Sequence, residues 1–247
     1  MRRLLCVTAH PDDEAGGFGG SLLRYRLSGA ETYVVCLTPG QAATNRGGAQ
    51  SNDELAAMRR KEFAVSCELL KLTCGEVLDY PDGGLERVDF RTVVADLTAR
   101  IRKIRPQVVL TFGPEGAITG HTDHAMASLF ATMAFHSAPR TDRFREQLAD
   151  GLAPHRAQKL YYATALFNLP DRQPVSLAPA TAIIDIAEHV ETKIRAFRSH
   201  TSQTPLFPRF EAAVRARGQS ELFHLAAADT PRKMESETDL FAGITEE

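Results

Sequence analysis

Between residues 3 and 135, short apolar runs alternate five times with stretches of helical period, and this alternation constrains the fold more than any other property of the chain. The run Leu4-Leu5-Cys6-Val7 sits in a strand read over residues 3–8. A helix read over 14–28 stops at Ser28-Gly29, and Glu31 to Thr38 forms the next strand. There follow a helix from Asp53 to Leu70, a short strand at Val77, Leu78 and Tyr80, and the turn Pro81-Asp82-Gly83-Gly84. A helix from Val88 to Arg105, stopped by Pro106, leads into a strand from Gln107 to Phe112 and a helix from His121 to Phe135. Strands apolar on both faces and separated by helices must be covered on both sides. The spacing therefore predicts an α/β, Rossmann-like fold with a mostly parallel sheet and helices on both faces.

Beyond residue 140 the signals weaken. A helix is expected near 140–150, strands near 159–163 and 181–186, a helix near 188–199 and a last strand from Glu221 to Leu225. With 247 residues, no internal repeat and no linker-like tract, residues 1–247 are read as a single domain. The stretch from Pro39 to Asn52 is long for a loop in a compact domain, which points equally to a lid or binding loop and to disorder.

A net charge of −2 provides no basic field for nucleic acid or an anionic membrane, so a small-molecule substrate is expected; self-association is left open. The four cysteines, Cys6, Cys36, Cys67 and Cys74, form no C-x-x-C pair and are read as buried free thiols. The apolar run after Arg2-Arg3 is too short for a signal peptide, and no 18-residue apolar stretch occurs, so a soluble, cytoplasmic protein is expected.

Two clusters carry the chemistry. Ala9-His10-Pro11-Asp12-Asp13-Glu14 ends the first strand, and Gly120-His121-Thr122-Asp123-His124 follows the strand ending at Phe112. Both fall where open α/β sheets place their ligands, and they combine imidazole and carboxylate donors of the kind a catalytic Zn²⁺ takes. An acidic helix start accounts for Asp12 to Glu14 but not for His10. Three protein ligands suffice for a catalytic zinc, so His10, Asp13 and one of His121 and His124 form the expected set, with Fe²⁺ or another divalent ion as alternatives. Asp12 is then left as general base. The second histidine is left to stabilise an oxyanion or protonate a leaving group, with Asp123 holding its tautomer.

Read together, these motifs resemble those of the LmbE-like, or PIG-L, N-acetylglucosaminyl deacetylases. Residues 9–14 match that family's A-H-P-D-D-E, and residues 120–124 its G-H-x-D-H. Arg59 with Glu62, the turn Asp82-Gly83-Gly84-Leu85, and His200-Thr201-Ser202-Gln203 match further landmarks in order. Thr122 departs from a frequent proline, and Ser128 stands where some relatives carry histidine. The resemblance implies that His10, Asp13 and His124 ligate zinc, that Asp12 is the base, and that His121, backed by Asp123, is the acid or oxyanion donor. It further implies that Arg59 and Asp82 hold polar groups of an amino-sugar substrate whose N-acetyl group is hydrolysed.

Residue chemistry alone leaves Arg59 open to a solvated charge run with Arg60-Lys61, Asp82 to a turn-fixing role, and His200 to a helix cap. Rival functions fit less well. Gly16-Gly17-Phe18-Gly19-Gly20 is not a dinucleotide fingerprint, because the third glycine would fall at Leu22 and acidic residues precede it. A non-catalytic metal clip has no use for the spare carboxylate of Asp12. An amidase acting on a thiol conjugate or antibiotic precursor remains within the same chemistry.

Overall fold

The computed structural model describes residues 1–245 apart from 170, 171, 218, 232 and 234. Its seven strands are β1 (Arg3–Thr8), β2 (Glu31–Cys36), β3 (Cys74–Val77), β4 (Val108–Phe112), β5 (Lys159–Thr164), β6 (Ala182–Asp185) and β7 (Ser220–Ala228). They form one sheet in the order β3-β2-β1-β4-β5-β7-β6. The pairs from β3 through β5 are parallel, and β7 runs antiparallel to both β5 and β6. The mostly parallel expectation holds, with an antiparallel edge added by the C-terminal third. In β1, Leu4 to Thr8 are fully buried, as a central parallel strand covered on both faces requires.

The helices are α1 (Asp13–Leu27), α2 (Asn52–Leu69), α3 (Phe90–Ile104), α4 (Thr122–Ser137), α5 (Arg145–Ala149), α6 (Val190–Arg198) and α7 (Phe207–Arg217). Ser51 caps α2 by accepting from the Glu54 N–H, and Asp89 caps α3 by accepting from Thr92. Arg105, left-handed at φ 58°, ends α3 just before Pro106. No helix is long and apolar enough to cross a membrane among the described residues.

Three expectations shift. The strand expected at Val77 to Tyr80 begins earlier, because β3 pairs Cys74 to Val77 with Tyr33 to Cys36; Leu78 and Tyr80 still donate to the carbonyls of Cys36 and Leu37. α7 was not anticipated: only Val214 is buried along it, so no apolar stripe marks it in the sequence. Of the cysteines, Cys6 and Cys36 are buried, but Cys67 on α2 is half-buried, and Cys74 is exposed because β3 is an edge strand.

From β1 the chain passes to β2 on one side, while β4 lies on the other. The carboxyl ends of β1 and β4 thus diverge at a topological switch point, where the loops after both strands open a crevice. The 39–52 stretch is an ordered wall of that crevice. Gly40 O accepts from Arg59 Nη1 at 3.1 Å, Ala42 N–H donates to Asp82 Oδ2 at 2.7 Å, and Asn45 O accepts from Gln203 Nε2 at 3.1 Å. Gly40 has φ 67°, and a Cβ there would lie 2.1 Å from Arg59 Nη1, so only glycine lets the guanidinium approach.

Candidate metal and catalytic centre

β1 delivers His10 to Asp13 into the crevice, and the first turn of α4 delivers His121 to His124. His10 and His124 are each 8% exposed. Asp13 lies between them: its Oδ1 is 3.1 Å from His124 Nε2, and its Oδ2 is 3.5 Å from His10 Nδ1. The peptide N–H groups of Ala9 and His10 also donate to Asp13 Oδ2, which fixes the carboxylate. His124 is held flat against Phe112, with ring centroids 4.0 Å apart and planes 8° from parallel, and its Nδ1 lies 3.3 Å from Thr119 Oγ1.

His10 is oriented from behind. Its Nε2 lies 3.0 Å from Asp82 Oδ1 and 3.2 Å from Asp123 Oδ2, so that nitrogen carries a proton and Nδ1 faces Asp13. Facing a carboxylate, Nδ1 either carries the second ring proton or meets a cation in its place. Burial alone would lower the His10 pKa, but the carboxylates of Asp123, Asp13 and Asp82 raise it well above the ordinary histidine value. Burial likewise disfavours the Asp13 anion, yet His124 and His10 draw its pKa well below the carboxylate norm. The two Asp13 oxygens, Oδ1 at 3.1 Å from His124 Nε2 and Oδ2 at 3.5 Å from His10 Nδ1, stand at spacings like the roughly 3.3 Å between donors around one small tetrahedral ion. The residues present therefore fit a divalent metal, and a buried carboxylate pair behind one ligand is the usual means of fixing its tautomer. His121 offers a third imidazole nitrogen within 4.8 Å of those of His10 and His124.

Asp12 stands beside this triad at φ 112°, ψ −27°, a left-handed state that costs a non-glycine residue about 1–3 kcal/mol and clusters at functional sites. Burial pushes its carboxyl up to about 6, against the opposing pull of Arg59. Arg59 is 3% exposed; its Nη2 donates to Asp12 Oδ2 at 2.8 Å and also to Pro11 O. Asp12 N–H donates to Glu14 Oε2 at 2.9 Å. His121, by contrast, is exposed. It caps α4, its Nδ1 accepting from Asp123 N–H at 3.1 Å, which leaves the remaining proton on Nε2. Partial burial and the neighbouring His10 and His124 hold its pKa below the ordinary value.

Four sequence expectations change. Asp123 does not hold the His121 side chain through its carboxylate: that group serves His10 and accepts from the N–H groups of Gly83 and Leu85. Arg59 is neither a solvated charge nor open to a sugar, being sunk against Asp12 and Gly40. Asp82 also faces inward, bridging His10 and the 39–52 wall. His200 caps no helix; its Nε2 donates to Glu14 Oε1 at 2.7 Å. The supporting roles of Glu14, Ser66, Glu62 and Thr119 escaped sequence reasoning, although Glu14, Glu62 and His200 all lie within motif matches. Glu62 accepts from Thr201 Oγ1, Ser202 N–H and Ser202 Oγ at 2.6–2.8 Å.

The family model for GlcNAc-PI de-N-acetylase (PIG-L) matches residues 5–135. Diacetylchitobiose deacetylase of Thermococcus kodakarensis is 33% identical over 206 residues, 83% of this chain and 71% of that protein. The 1D-myo-inositol 2-acetamido-2-deoxy-alpha-D-glucopyranoside deacetylase 2 of Catenulispora acidiphila is 28% identical over 298 residues, covering 98% of this chain and 97% of its own. Among solved structures, N,N'-diacetylchitobiose deacetylase from Pyrococcus horikoshii, complexed with its inhibitor MPG, superposes with a TM-score of 0.76 at 26% identity, over 91% of this chain and 83% of that one.

Proposed function

The chain belongs to the GlcNAc-PI de-N-acetylase (PIG-L) family, and we propose that its crevice is the active site of a metal-dependent hydrolase removing the N-acetyl group of an N-acetylglucosamine-type conjugate. The observation that supports this reading is the Asp13 carboxylate set between His10 and His124, with the strained, Arg59-bound carboxylate of Asp12 beside it. His10, Asp13 and His124 would hold the ion, with Zn²⁺ the expected species. Bound there, it supplies Lewis-acid polarisation of the acyl carbonyl and lowers the pKa of water.

The remaining steps belong to the chain. A carboxyl whose pKa is about 6 is ionised at neutral pH and basic enough to take a proton from the attacking water. Once protonated, the same Asp12 can return that proton to the departing amine nitrogen. His121 is a neutral imidazole with its N–H on Nε2 toward the crevice, suited to donate to the carbonyl oxygen as charge grows there. This favours the oxyanion donor over the general acid for His121. With Arg59 and Asp82 facing inward, polar contacts to the sugar fall to groups lining the open crevice.

Residues 1–247 act here as one domain on a small amino-sugar substrate. The test is release of free amine by the zinc-loaded protein from a panel of N-acetylated amino sugars and their conjugates. Turnover is expected on the N-acetylglucosamine conjugates and lost on chelation; no amine from any member, with metal bound, would reject the reading.

A further inference from the structure

The Asp12 peptide is unusual for a residue with a side chain, and its N–H meets a single group, Glu14 Oε2. Glu14 is wholly buried, and its other oxygen, Oε1, accepts from Ser66 Oγ at 2.5 Å and from His200 Nε2 at 2.7 Å. One oxygen thus serves the catalytic turn while the other is fixed by α2 and by a residue 186 positions along the chain. His200 is also wholly buried; among the described residues its Nε2 meets Glu14, and its Nδ1 has no partner. Burying an imidazole that keeps one nitrogen unsatisfied is costly where an apolar side chain would fill the same space. Among the described residues, the one hydrogen bond of the His200 side chain goes to the group that holds the Asp12 peptide.

We propose that His200 is a positioning residue for catalysis: through Glu14 it keeps the Asp12 peptide left-handed, and so aims the carboxylate that Arg59 grips from the other side. This rests on the deacetylase reading above. It makes a residue of the C-terminal third part of the apparatus that orients the base.

His200→Leu keeps an apolar filling and removes the donor, whereas His200→Gln returns an N–H donor toward Glu14. His200→Leu is expected to lose about 10- to 100-fold in kcat with KM within about 2-fold of wild type and bound metal per chain unchanged, the cost of a misaimed group. His200→Gln should recover most of that loss. Unchanged kcat in His200→Leu, equal loss in both variants, or loss of metal would overturn the proposal.

Should His200→Leu fail to fold, Ser66→Ala decides: it removes the second donor to Glu14 and is expected to lower kcat about 3-fold without moving KM; no change would overturn the idea. Crystal structures separate this inference from the functional one. If the wild type releases no amine while Asp12 leaves its left-handed state in His200→Leu and keeps it in His200→Gln, the function is wrong and the positioning stands. If the wild type is active and neither Asp12 nor kcat moves, the positioning is wrong.

Discussion

The two corners of the crevice are built in opposite ways. At the β1 corner, Asp12 is gripped at its side chain by Arg59 and at its peptide by Glu14, in a left-handed backbone state. At the α4 corner, His121 is exposed and kept by one hydrogen bond from the peptide of Asp123. A base that must meet water in one direction gains from being over-determined; a donor that must follow an oxygen as it moves gains from a single pivot. The corner that is expensive to build is also the one whose alteration should cost most.

Asp12→Asn is the sharpest test of that ordering. It should retain metal yet lose about 10³-fold or more in kcat, as expected if one carboxylate performs both proton transfers. If Asp12→Asn instead loses metal while Asp13→Asn keeps it, the two carboxylates have exchanged roles, and elemental analysis of the two proteins decides.

His121→Ala should cost less, about 10²-fold in kcat with little change in KM. Its pH profile should remain parallel to that of the wild type. With Asp12 working ionised, as proposed, activity should rise with pH through about 6 in both proteins. A wild-type alkaline limb that vanishes in His121→Ala would restore His121 as a protonated acid and undo the contrast.

Asp82→Asn probes the shared backing of the ligand. Removing the charge that orients His10 should weaken metal binding about 10-fold, measured by competition with a chelator, with a smaller effect on kcat once metal is saturating. Unaltered metal affinity would leave Asp82 with only its bond to Ala42.

The smallest effect concerns stability. Burial alone would lower the His200 pKa, but Glu14 outweighs it, and the folded value is raised above 6.5. Burial would raise Glu14, but His200 and Ser66 draw it below 4.5. The histidine's contribution is therefore full below its unfolded pKa and fades as pH climbs through the raised value. The glutamate's contribution is present above its unfolded pKa and fades on acidification. The Tm of the metal-free wild type should fall on going from mildly acidic to mildly alkaline pH by more than that of His200→Gln. Equal slopes would mean that the pair is not charged.

The layers and most element boundaries were legible because buried parallel strands write continuous apolar runs, as Leu4 to Val7 and Val108 to Leu110 do. α7 was not, since a helix burying one residue leaves no period to read. Spacing left His121 and His124 as alternatives and the family motif singled out His124; the structure brings His124 and His10 to the two oxygens of Asp13. What could not be read was direction. Arg59 looks solvated beside Arg60 and Lys61, yet it lies under a loop that only Gly40 allows to close. Asp123 sits next to His121 in sequence, yet its carboxylate turns to His10 across the crevice. Adjacency along the chain carries no information about which neighbour a side chain faces when the partner arrives from another strand.

The reach of His200 and Ser202 has a consequence for modularity. The region matched by the family model ends at residue 135 and contains His10, Asp13 and His124, yet Glu14 and Glu62 both lean on residues 200–202. A transplanted stretch ending after α4 would inherit the stoichiometry of the ion without the aim of the base. Recognition of ancestry and capacity for turnover thus have different lengths in this molecule. Recombination or grafting that respects only the shorter one should yield metalloproteins that bind well and work poorly.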